Sequence, residues 1–220
     1  LMQYQAQYLR LKVLDVLHDK GTGHWGGASS AAEVLTTLYY HVMNVKPEEP
    51  DWPARDRFVL SKGHASAMLY AVLARAGYFG RDELWGLRTV DRRAEGHPIR
   101  NKLPGIETTS GSLGKGISVG LGHVLGGRLN GLTGYRVYTL LGDGECQEGQ
   151  IWESLQAAAN QEMGEITVIV DHNKIQSDTW VKDVSDLGDL EAKFASVGWH
   201  VQGCDGHDLE VLERAFDNAN

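Results

Sequence analysis

Apolar positions recur along the chain with two periods, one typical of helices and one typical of strands. In the first stretch they recur every three or four residues and predict a helix that ends at Lys20. These apolar residues are Tyr4, Tyr8, Leu11 and Leu14. A glycine-rich loop over residues 21–27 follows. Ser30 and Glu33 then have the spacing of a capping box, which predicts a second helix as far as about Met43.

Short runs of aliphatic and β-branched residues predict strands. A first candidate covers residues 57–60, and three more cover residues 136–141, 166–171 and roughly 200–204. A helical pattern over residues 150–162 separates the second candidate from the third. A strand, a helix and a strand at this spacing form a βαβ unit. The pattern therefore predicts an α/β fold, a doubly wound parallel sheet with helices on both faces.

Glycine is unusually frequent between residues 105 and 127. A strand could not keep so many glycines. A helix whose backbone packs closely against a neighbour or a ligand could keep them, at a cost of about 1 kcal/mol for each glycine. We therefore expect a closely packed helix in this region. Another helix, rich in small residues, is expected to end near Gly77.

The size, charge and cysteine content limit the classes of function. A chain of 220 residues with 42% hydrophobic residues suits one large α/β domain or two small ones. The formal net charge of −8 argues against a nucleic-acid surface, and an anionic ligand would need a metal ion or backbone donors beside it. Cys146 and Cys204 form neither a disulfide framework nor a zinc-ligand spacing.

The chain has no sequence pattern for membrane insertion or secretion. No apolar run approaches the roughly 18 residues that a membrane-spanning helix needs. The first residues lack the basic and then apolar pattern of a secretory signal. The expected location is the cytoplasm.

Oxygen-bearing side chains follow two of the predicted strands. Gly142, Asp143 and Gly144 come directly after one of them, and Asn173 follows the next. Because ligands bind at the carboxyl ends of parallel strands, we expect Asp143 and Asn173 at the same edge of the sheet. A carboxylate and an amide oxygen are hard ligands that suit Mg²⁺ or Ca²⁺. The glycines let a phosphate approach the backbone, so the sequence predicts a site for a metal and a diphosphate.

Other phosphate-binding motifs fit less well. The Rossmann fingerprint requires a third glycine where Gln147 stands, and a P-loop over residues 111–116 would continue with Lys where Ile117 stands. Taken alone, the Gly-Asp-Gly turn is equally typical of an ordinary connection between a strand and a helix. Asn173 at the next strand end favours the metal site.

The chain contains nine histidines, and most of them lie in patterns that indicate a structural role. His24, His64 and His97 instead lie in loops beside glycine, where functional residues concentrate. Imidazole donates hydrogen bonds to phosphate and moves protons near neutral pH. These three histidines are therefore the candidate catalytic residues.

The Gly-Asp-Gly turn, followed after about thirty residues by an Asn at a strand end, is similar to the shared signature of thiamine-diphosphate enzymes. The resemblance implies that Asp143, Asn173 and the main-chain carbonyl of Ile175 bind the metal, Mg²⁺ or Ca²⁺. It also implies that the amide of Gly144 contacts the diphosphate. The cofactor-binding residues expected in this part of the chain are Gly142, Gly144, Glu145 and Asn173.

Further segments resemble transketolases in particular. Residues 56–64 are similar to the block whose histidine, here His64, touches the diphosphate. Residues 96–98 resemble the block whose histidine, here His97, faces the reacting centre. His24 matches the family's early Gly-His pair, and the resemblance implies that it stabilises oxygens of the substrate.

Two more features complete the resemblance to transketolases. Residues 108–116 resemble the loop that lies against the two rings of the cofactor. The cofactor contacts implied there are Gly111, Ser112 and Leu113. Glu148 and Glu153 match family acids at the subunit interface, which implies a proton-relay role between two active sites.

The resemblance implies a function that needs a second chain. Residues 1–220 would form a single diphosphate-binding domain, while the pyrimidine-binding and C-terminal domains would lie on a partner chain. That partner would supply the glutamate that activates thiamine diphosphate, in an α₂β₂ assembly. The implied reaction transfers a two-carbon ketol unit from a ketose to an aldehyde. The alternatives are a 2-oxo-acid dehydrogenase or deoxyxylulose-phosphate synthase type of enzyme, and a non-catalytic cofactor-binding or scaffold subunit.

Overall fold

The computed structural model describes residues 1–219, which form an α/β fold. The α-helices are α1 Met2–Lys20, α2 Trp25–Ser30, α3 Ala32–Thr37, α4 Ser66–Ala76, α5 Lys115–Leu129, α6 Gly149–Asn160, α7 Val181–Ser185, α8 Leu190–Ser196 and α9 Leu209–Ala219. The strands are β1 Arg57–Leu60, β2 Val137–Gly142, β3 Ile166–Asp171, β4 Ile175–Gln176 and β5 Thr179–Trp180. Shorter helical turns are the π-helical Leu38–Val42 and the 3₁₀-helical Gly63–Ala65, Arg81–Gly86 and Gly144–Gln147.

The three longer strands form a parallel sheet in the order β1-β2-β3. Arg57 pairs with Val137, and Gly142 pairs with Asp171 at the carboxyl end of the sheet. β4 and β5 form a separate antiparallel hairpin that follows β3. The first three predicted strands are therefore confirmed to within one residue.

Alternate side chains of β2 point into two separate hydrophobic layers. Tyr138 and Leu140 pack with buried residues of α1, α3, α4 and α9. Val137 and Leu141 pack with buried residues of α5, α6 and α8. Helices therefore cover both faces of the sheet, which confirms the predicted doubly wound arrangement.

α1 is confirmed as a helix, but most of the apolar residues whose spacing predicted it do not form its buried face. Tyr4, Leu11 and Leu14 are 45–64% exposed. The side chains that pack against α3 and α4 are instead Ala6, Leu9, Val13, Val16 and Leu17. The helix carries two apolar stripes, and the stripe with the smaller residues allows the closer approach to its neighbours. Within residues 1–219 no helix is both long and apolar enough to cross a membrane.

The capping-box prediction is also wrong. α2 begins at Trp25, inside the predicted glycine-rich loop, and α3 begins at Ala32. The hydroxyl of Ser30 does not cap α3. It contacts the carbonyl of Gly27 and the carboxylate of Asp171 instead, because the start of this helical region packs against the end of β3.

The fourth predicted strand, at residues 200–204, is wrong as well. Within residues 1–219 this mostly exposed segment pairs with no strand, and a groove of about 1080 Å³ lies between it and β3. The side chain of Gln202 donates a hydrogen bond to the carbonyl of Ala215 at 3.1 Å. A Cβ on Gly203 would lie 2.4 Å from the carboxylate of Glu191. The segment is therefore hydrogen-bonded to α9 and lies close to α8, and it does not join the sheet.

The closely packed glycine helix is confirmed as α5. A Cβ on Gly116 would lie 2.6 Å from the Cα of Ser61, directly after β1. A Cβ on Gly127 would lie 1.7 Å from the hydroxyl of Tyr135. A Cβ on Gly122, in contrast, would meet nothing within 4 Å. Only some of the glycines are therefore needed for the packing of α5.

Candidate functional site

The residues predicted to bind the metal lie in the turns that follow β2 and β3. Asp143 follows β2 and is only 2% exposed. One of its carboxylate oxygens accepts a hydrogen bond from the amide of Gly144 at 2.8 Å, and the other accepts one from the amide of Lys174 at 2.6 Å. In the same turn, Oδ1 of Asn173 accepts a hydrogen bond from the amide of Ile175 at 3.0 Å. The carboxylate of Asp143 is therefore tied to the turn that carries Asn173 and Ile175.

The chemistry of this donor set fits a hard cation bound together with a phosphate. Within residues 1–219 no group of three or more His, Cys, Asp or Glu side chains could hold a metal. A cation here would use one carboxylate, one amide oxygen and one main-chain carbonyl. Mg²⁺ commonly takes one or two carboxylates and completes its octahedron with phosphate oxygens and water. The set therefore suits a metal whose remaining ligands come from a diphosphate.

The side chain of Gln176 borders the same turn. Its Oε1 is buried and has no hydrogen-bond partner within residues 1–219. A Cβ on Gly144 would lie 2.7 Å from this oxygen, so only glycine fits there without displacing Gln176. A buried amide oxygen without a partner is costly unless a ligand or water satisfies it. This oxygen is a second observation that fits a ligand at the strand ends.

Asp171 joins three parts of the site, although it was not among the predicted ligands. Its Oδ2 accepts hydrogen bonds from Nζ of Lys62, from the hydroxyl of Ser30 and from Nδ2 of Asn173. Lys62 is 1% exposed, so its buried ammonium group depends on this carboxylate for an ionic partner. The sequence contained one sign of this contact. Lys62 is a charged residue two positions before His64, just after the apolar strand predicted at residues 57–60.

The three candidate catalytic histidines form one cluster. His24 precedes α2, His64 lies in the 3₁₀ turn after β1, and His97 lies in the loop before α5. The ring centroid of His24 lies 5.4 Å from that of His64 and 6.0 Å from that of His97. A Cβ on Gly27 would lie 3.0 Å from Nε2 of His64, so glycine leaves room for that ring. The structure therefore brings the three predicted side chains together.

All three histidines have lowered pKa values. Burial, followed by the positive charge of Lys62, lowers the pKa of His64 to about 4. Burial, followed by the guanidinium group of Arg88, lowers the pKa values of His24 and His97. The rings are therefore neutral at neutral pH, which suits hydrogen bonding to oxygen atoms of a bound molecule.

The lowered pKa of His64 makes the stability of the chain depend on pH. The unfolded ring takes up a proton near pH 6.5, whereas the folded ring does so near pH 4. The contribution of His64 to the free energy of unfolding is therefore fully present above about pH 6.5 and is lost as the pH falls towards 4. Between pH 7 and pH 5 we expect the free energy of unfolding to fall by roughly 1–2 kcal/mol on account of this residue, measured by urea titration.

A pair of variants separates His64 from the other groups that titrate in this range. His64→Gln should have a shallower dependence of unfolding free energy on pH than the wild type. Gln7→Ala, which changes an exposed side chain of α1 that does not titrate, should keep the wild-type dependence. Equal pH dependence in His64→Gln and the wild type would contradict the pKa assigned to His64.

Of the three residues predicted to contact the cofactor rings, Gly111 lies beside the histidine cluster. A Cβ on Gly111 would lie 3.6 Å from the ring of His97. Ser112 and Leu113 are exposed. Gly111 therefore lies beside the cluster, while the cofactor contacts of Ser112 and Leu113 stay predictions.

Glu145 connects the loops around the site. It is 3% exposed, and its Oε1 accepts hydrogen bonds from the amide of Gly114 at 2.8 Å and from the hydroxyl of Ser61. Its Oε2 accepts a hydrogen bond from the amide of Gly142 at 3.0 Å. Both oxygens are thus engaged within the protein. The predicted contact of Glu145 with the cofactor stays a prediction, and its hydrogen bonds indicate that it holds the start of α5 against β1 and β2.

The predicted interface acids lie on the surface of the chain. Glu148 immediately precedes α6, and Glu153 lies within it. Both are exposed, and within residues 1–219 neither forms an ion pair. Their role at an interface stays a prediction.

Comparison with known proteins relates this geometry to a family. The family described as "Transketolase, thiamine diphosphate binding domain" matches residues 2–220. The chain is 39% identical over 218 residues to a 6-deoxy-6-sulfo-D-fructose transketolase subunit from Clostridium sp. (strain MSTE9), covering 99% of this chain and 79% of that relative. It is 36% identical over 214 residues to the transketolase of Homo sapiens, covering 97% of this chain. The chain spans only 34% of that human protein.

Solved structures show the same fold. A transketolase from Campylobacter jejuni superposes with a TM-score of 0.93 at 31% identity, covering 99% of this chain and 35% of the other. A transketolase from Pichia stipitis, solved in complex with sedoheptulose 7-phosphate, superposes with a TM-score of 0.93 at 32% identity, covering 99% and 34%. The chain therefore belongs to the transketolase family and corresponds to its N-terminal, thiamine-diphosphate-binding section.

Proposed function

We propose that this chain binds thiamine diphosphate through a divalent cation and acts with a partner chain as a two-component transketolase. The reaction is the transfer of a two-carbon ketol unit from a ketose donor to an aldehyde acceptor. One observation carries the proposal: the 2.6 Å hydrogen bond that ties Asp143 to the turn of Asn173 and Ile175. It supports the proposal because the hard oxygen atoms of these residues then lie at the carboxyl end of the sheet, where ligands of α/β folds bind.

In this proposal the chain binds the anionic end of the cofactor. Asp143, Asn173 and the carbonyl of Ile175 would hold Mg²⁺ or Ca²⁺, and this ion would supply the positive charge that binds a diphosphate. His64, neutral at neutral pH, donates a hydrogen bond to a diphosphate oxygen. The cation also offsets the formal net charge of −8, which would otherwise repel a diphosphate.

The chemical step depends on both the cofactor and the histidine cluster. Thiamine diphosphate, when bound, supplies a carbon nucleophile that no protein side chain provides. His24 and His97 stabilise substrate oxygens by hydrogen bonds and move protons to and from them. Because both rings have lowered pKa values, they hold the neutral form that can exchange a proton near neutral pH.

The proposal includes a partner chain because this chain matches only part of a full-length transketolase but most of a relative that is named as a subunit. The chain spans about a third of the human transketolase, and the relative from Clostridium sp. is named as a subunit. We place the pyrimidine-binding and C-terminal domains on the partner, with the activating glutamate, in an α₂β₂ assembly. Exposed Glu148 and Glu153 lie at the interface in this arrangement. The name of that relative also makes a sulfonated ketose the first donor to test.

The test is a reconstitution with defined components. The purified chain is mixed with a C-terminal transketolase section, thiamine diphosphate and Mg²⁺. The donors are 6-deoxy-6-sulfo-D-fructose, a ketose phosphate and a neutral ketose, each with an aldehyde acceptor. We expect ketol transfer that disappears when any component is left out.

Two results would contradict the proposal in different ways. Release of carbon dioxide from pyruvate, without ketol transfer from any ketose, would assign the chain to another type of thiamine-diphosphate enzyme. Binding of the cofactor and the partner, without turnover of any substrate, would indicate a non-catalytic subunit.

A further inference from the structure

Arg88 has a backbone conformation that is uncommon for a residue with a side chain. Its φ is +54°, in the left-handed region, and its amide donates a hydrogen bond to the carbonyl of Ala94 at 2.9 Å. Leu87, which precedes it, is 1% exposed and anchors the segment in the core. Such conformations persist where the surroundings hold them, and they concentrate at functional positions. The loop from Arg88 to Ala94 therefore fixes the direction in which the arginine side chain leaves the backbone.

The guanidinium group of Arg88 lies over a glycine and reaches the histidine cluster. A Cβ on Gly96 would lie 3.1 Å from its Cζ, so glycine at this position leaves the space that the group occupies. Nη2 lies 3.3 Å from Nδ1 of His24, and Nη1 lies 3.5 Å from the hydroxyl of Thr22. The arginine thus contacts one defined nitrogen of one imidazole ring.

Arg88 differs in its partners from two other cations of this region. Arg93 forms an ion pair with Glu83, and Lys102 forms one with Glu95. Within residues 1–219 Arg88 forms no ion pair with a carboxylate. In the described part of the chain, no salt bridge therefore neutralises the guanidinium group that contacts His24.

The contact defines the protonation state of His24. A guanidinium group has only donors, so the nitrogen that it contacts must be the acceptor. Nδ1 of His24 then carries no proton, and in the neutral ring the proton lies on Nε2, at the opposite side. We propose that Arg88 is a positioning residue that holds His24 neutral, in the Nε2-protonated form, ready to donate a hydrogen bond to a substrate oxygen. The catalytic consequence rests on the proposed function, whereas the protonation state does not.

The charges around His24 agree with this assignment. The groups that face its ring are Arg88, His64 and His97, and none of them is acidic. Burial, then Arg88, then His97 lower the pKa of His24. Removal of the arginine would therefore release the Nδ1 lone pair and raise the pKa of the ring.

The test observes the ring itself, so that it needs neither cofactor nor turnover. Two-bond ¹H–¹⁵N correlation spectra of the ¹⁵N-labelled chain distinguish the two neutral tautomers and the protonated ring. The signals of His24 are assigned by their loss in His24→Asn. We expect the Nε2-protonated form in the wild type near neutral pH. In Arg88→Gln we expect a mixture of tautomers and titration at a higher pH than in the wild type.

Two further variants control the experiment. Arg88→Lys keeps a cation with only donors and should retain part of the wild-type tautomer preference. Arg92→Gln removes an exposed cation from the same loop that has no contact with His24, and should give the wild-type spectrum. An Nδ1-protonated His24 in the wild type, or the same tautomer ratio and titration in Arg88→Gln, would overturn the assignment.

Kinetics of the reconstituted enzyme separate this inference from the proposed function. If the wild type turns over, Arg88→Gln should lower kcat roughly 10-fold, because an imidazole in the wrong tautomer is a poor catalyst. Its pH–rate profile should lose activity at a higher pH on the acidic side than the wild type does. An absence of turnover by the wild type would count against the proposed function alone. Wild-type kinetics in Arg88→Gln would count against the role of the arginine alone.

Discussion

Asp143→Ala should abolish ketol transfer by the reconstituted enzyme. The variant removes the only carboxylate of the proposed metal site, together with its hydrogen bond from Lys174, which ties the end of β2 to the turn after β3, and its local hydrogen bond from Gly144. Loss of groups that merely support a metal ligand costs about 10–100-fold in affinity or activity, so loss of the ligand itself should cost at least roughly 100-fold. The measurements are the turnover rate and the affinity for thiamine diphosphate in the presence of Mg²⁺.

A matched variant and a stability measurement distinguish loss of the site from loss of the fold. Asp178→Ala removes an exposed carboxylate from the β4–β5 hairpin, a few residues beyond Asn173, and should keep wild-type turnover. Thiamine diphosphate with Mg²⁺ should raise the Tm of the wild type and of Asp178→Ala, but not that of Asp143→Ala. Turnover within a few-fold of the wild type in a folded Asp143→Ala would remove the basis of the proposed metal site.

Gly116→Ala should destabilise the fold strongly. A Cβ at this position would lie 2.6 Å from the Cα of Ser61, a backbone atom that cannot move aside by rotation of a side chain. The amide of Gly116 also donates a hydrogen bond to the hydroxyl of Ser61 at 3.1 Å, so displacement of α5 would break that bond as well. We expect a loss of about 3 kcal/mol or more in the free energy of unfolding, measured by urea titration.

Gly122→Ala is the matched control because it makes the same change on the same helix. A Cβ there would meet nothing within 4 Å, so the substitution brings only the higher helix propensity of alanine. We expect stabilisation of about 0.5–1 kcal/mol. If both variants changed stability in the same direction, the close packing of α5 at Gly116 would not be the reason for its glycine.

The parallel sheet could be predicted from sequence because β1 and β2 are almost completely buried and β3 is at least half-buried. Buried strands are continuous apolar runs, and the polar residues that follow them mark the ligand-binding edge. Asp143 and Asn173 were therefore identifiable as neighbours before the structure was known. The glycines of α5 were informative for a similar reason, since close approach of two backbones excludes side chains at particular positions.

The wrong predictions have a common physical cause. Local composition at residues 200–204 is compatible with a strand, but a strand forms only beside a partner, and this segment is hydrogen-bonded to α9 instead. Likewise, Ser30 has the spacing of a capping box, but its hydroxyl contacts Asp171, a residue far away in sequence. Each outcome depends on a tertiary contact that the local sequence does not contain.

The contacts that set the charge and orientation of the site residues could not be predicted from sequence patterns either. Lys62 and Asp171 are separated by 109 positions, and Arg88 and His24 by 64. Neither pair shares a motif, because the contact arises where loops from different strands and helices converge. Sequence motifs therefore identified the groups expected to touch the cofactor, while the groups that set their charge and orientation required the fold.

The most direct test is a crystal of the chain grown with thiamine diphosphate and Mn²⁺, analysed by anomalous diffraction. A single manganese peak is expected, with Asp143 Oδ, Asn173 Oδ1 and the carbonyl oxygen of Ile175 each roughly 2.0–2.2 Å away and diphosphate oxygens completing the shell. Manganese bound elsewhere, or a diphosphate seated without any cation on these three oxygens, would contradict the proposal.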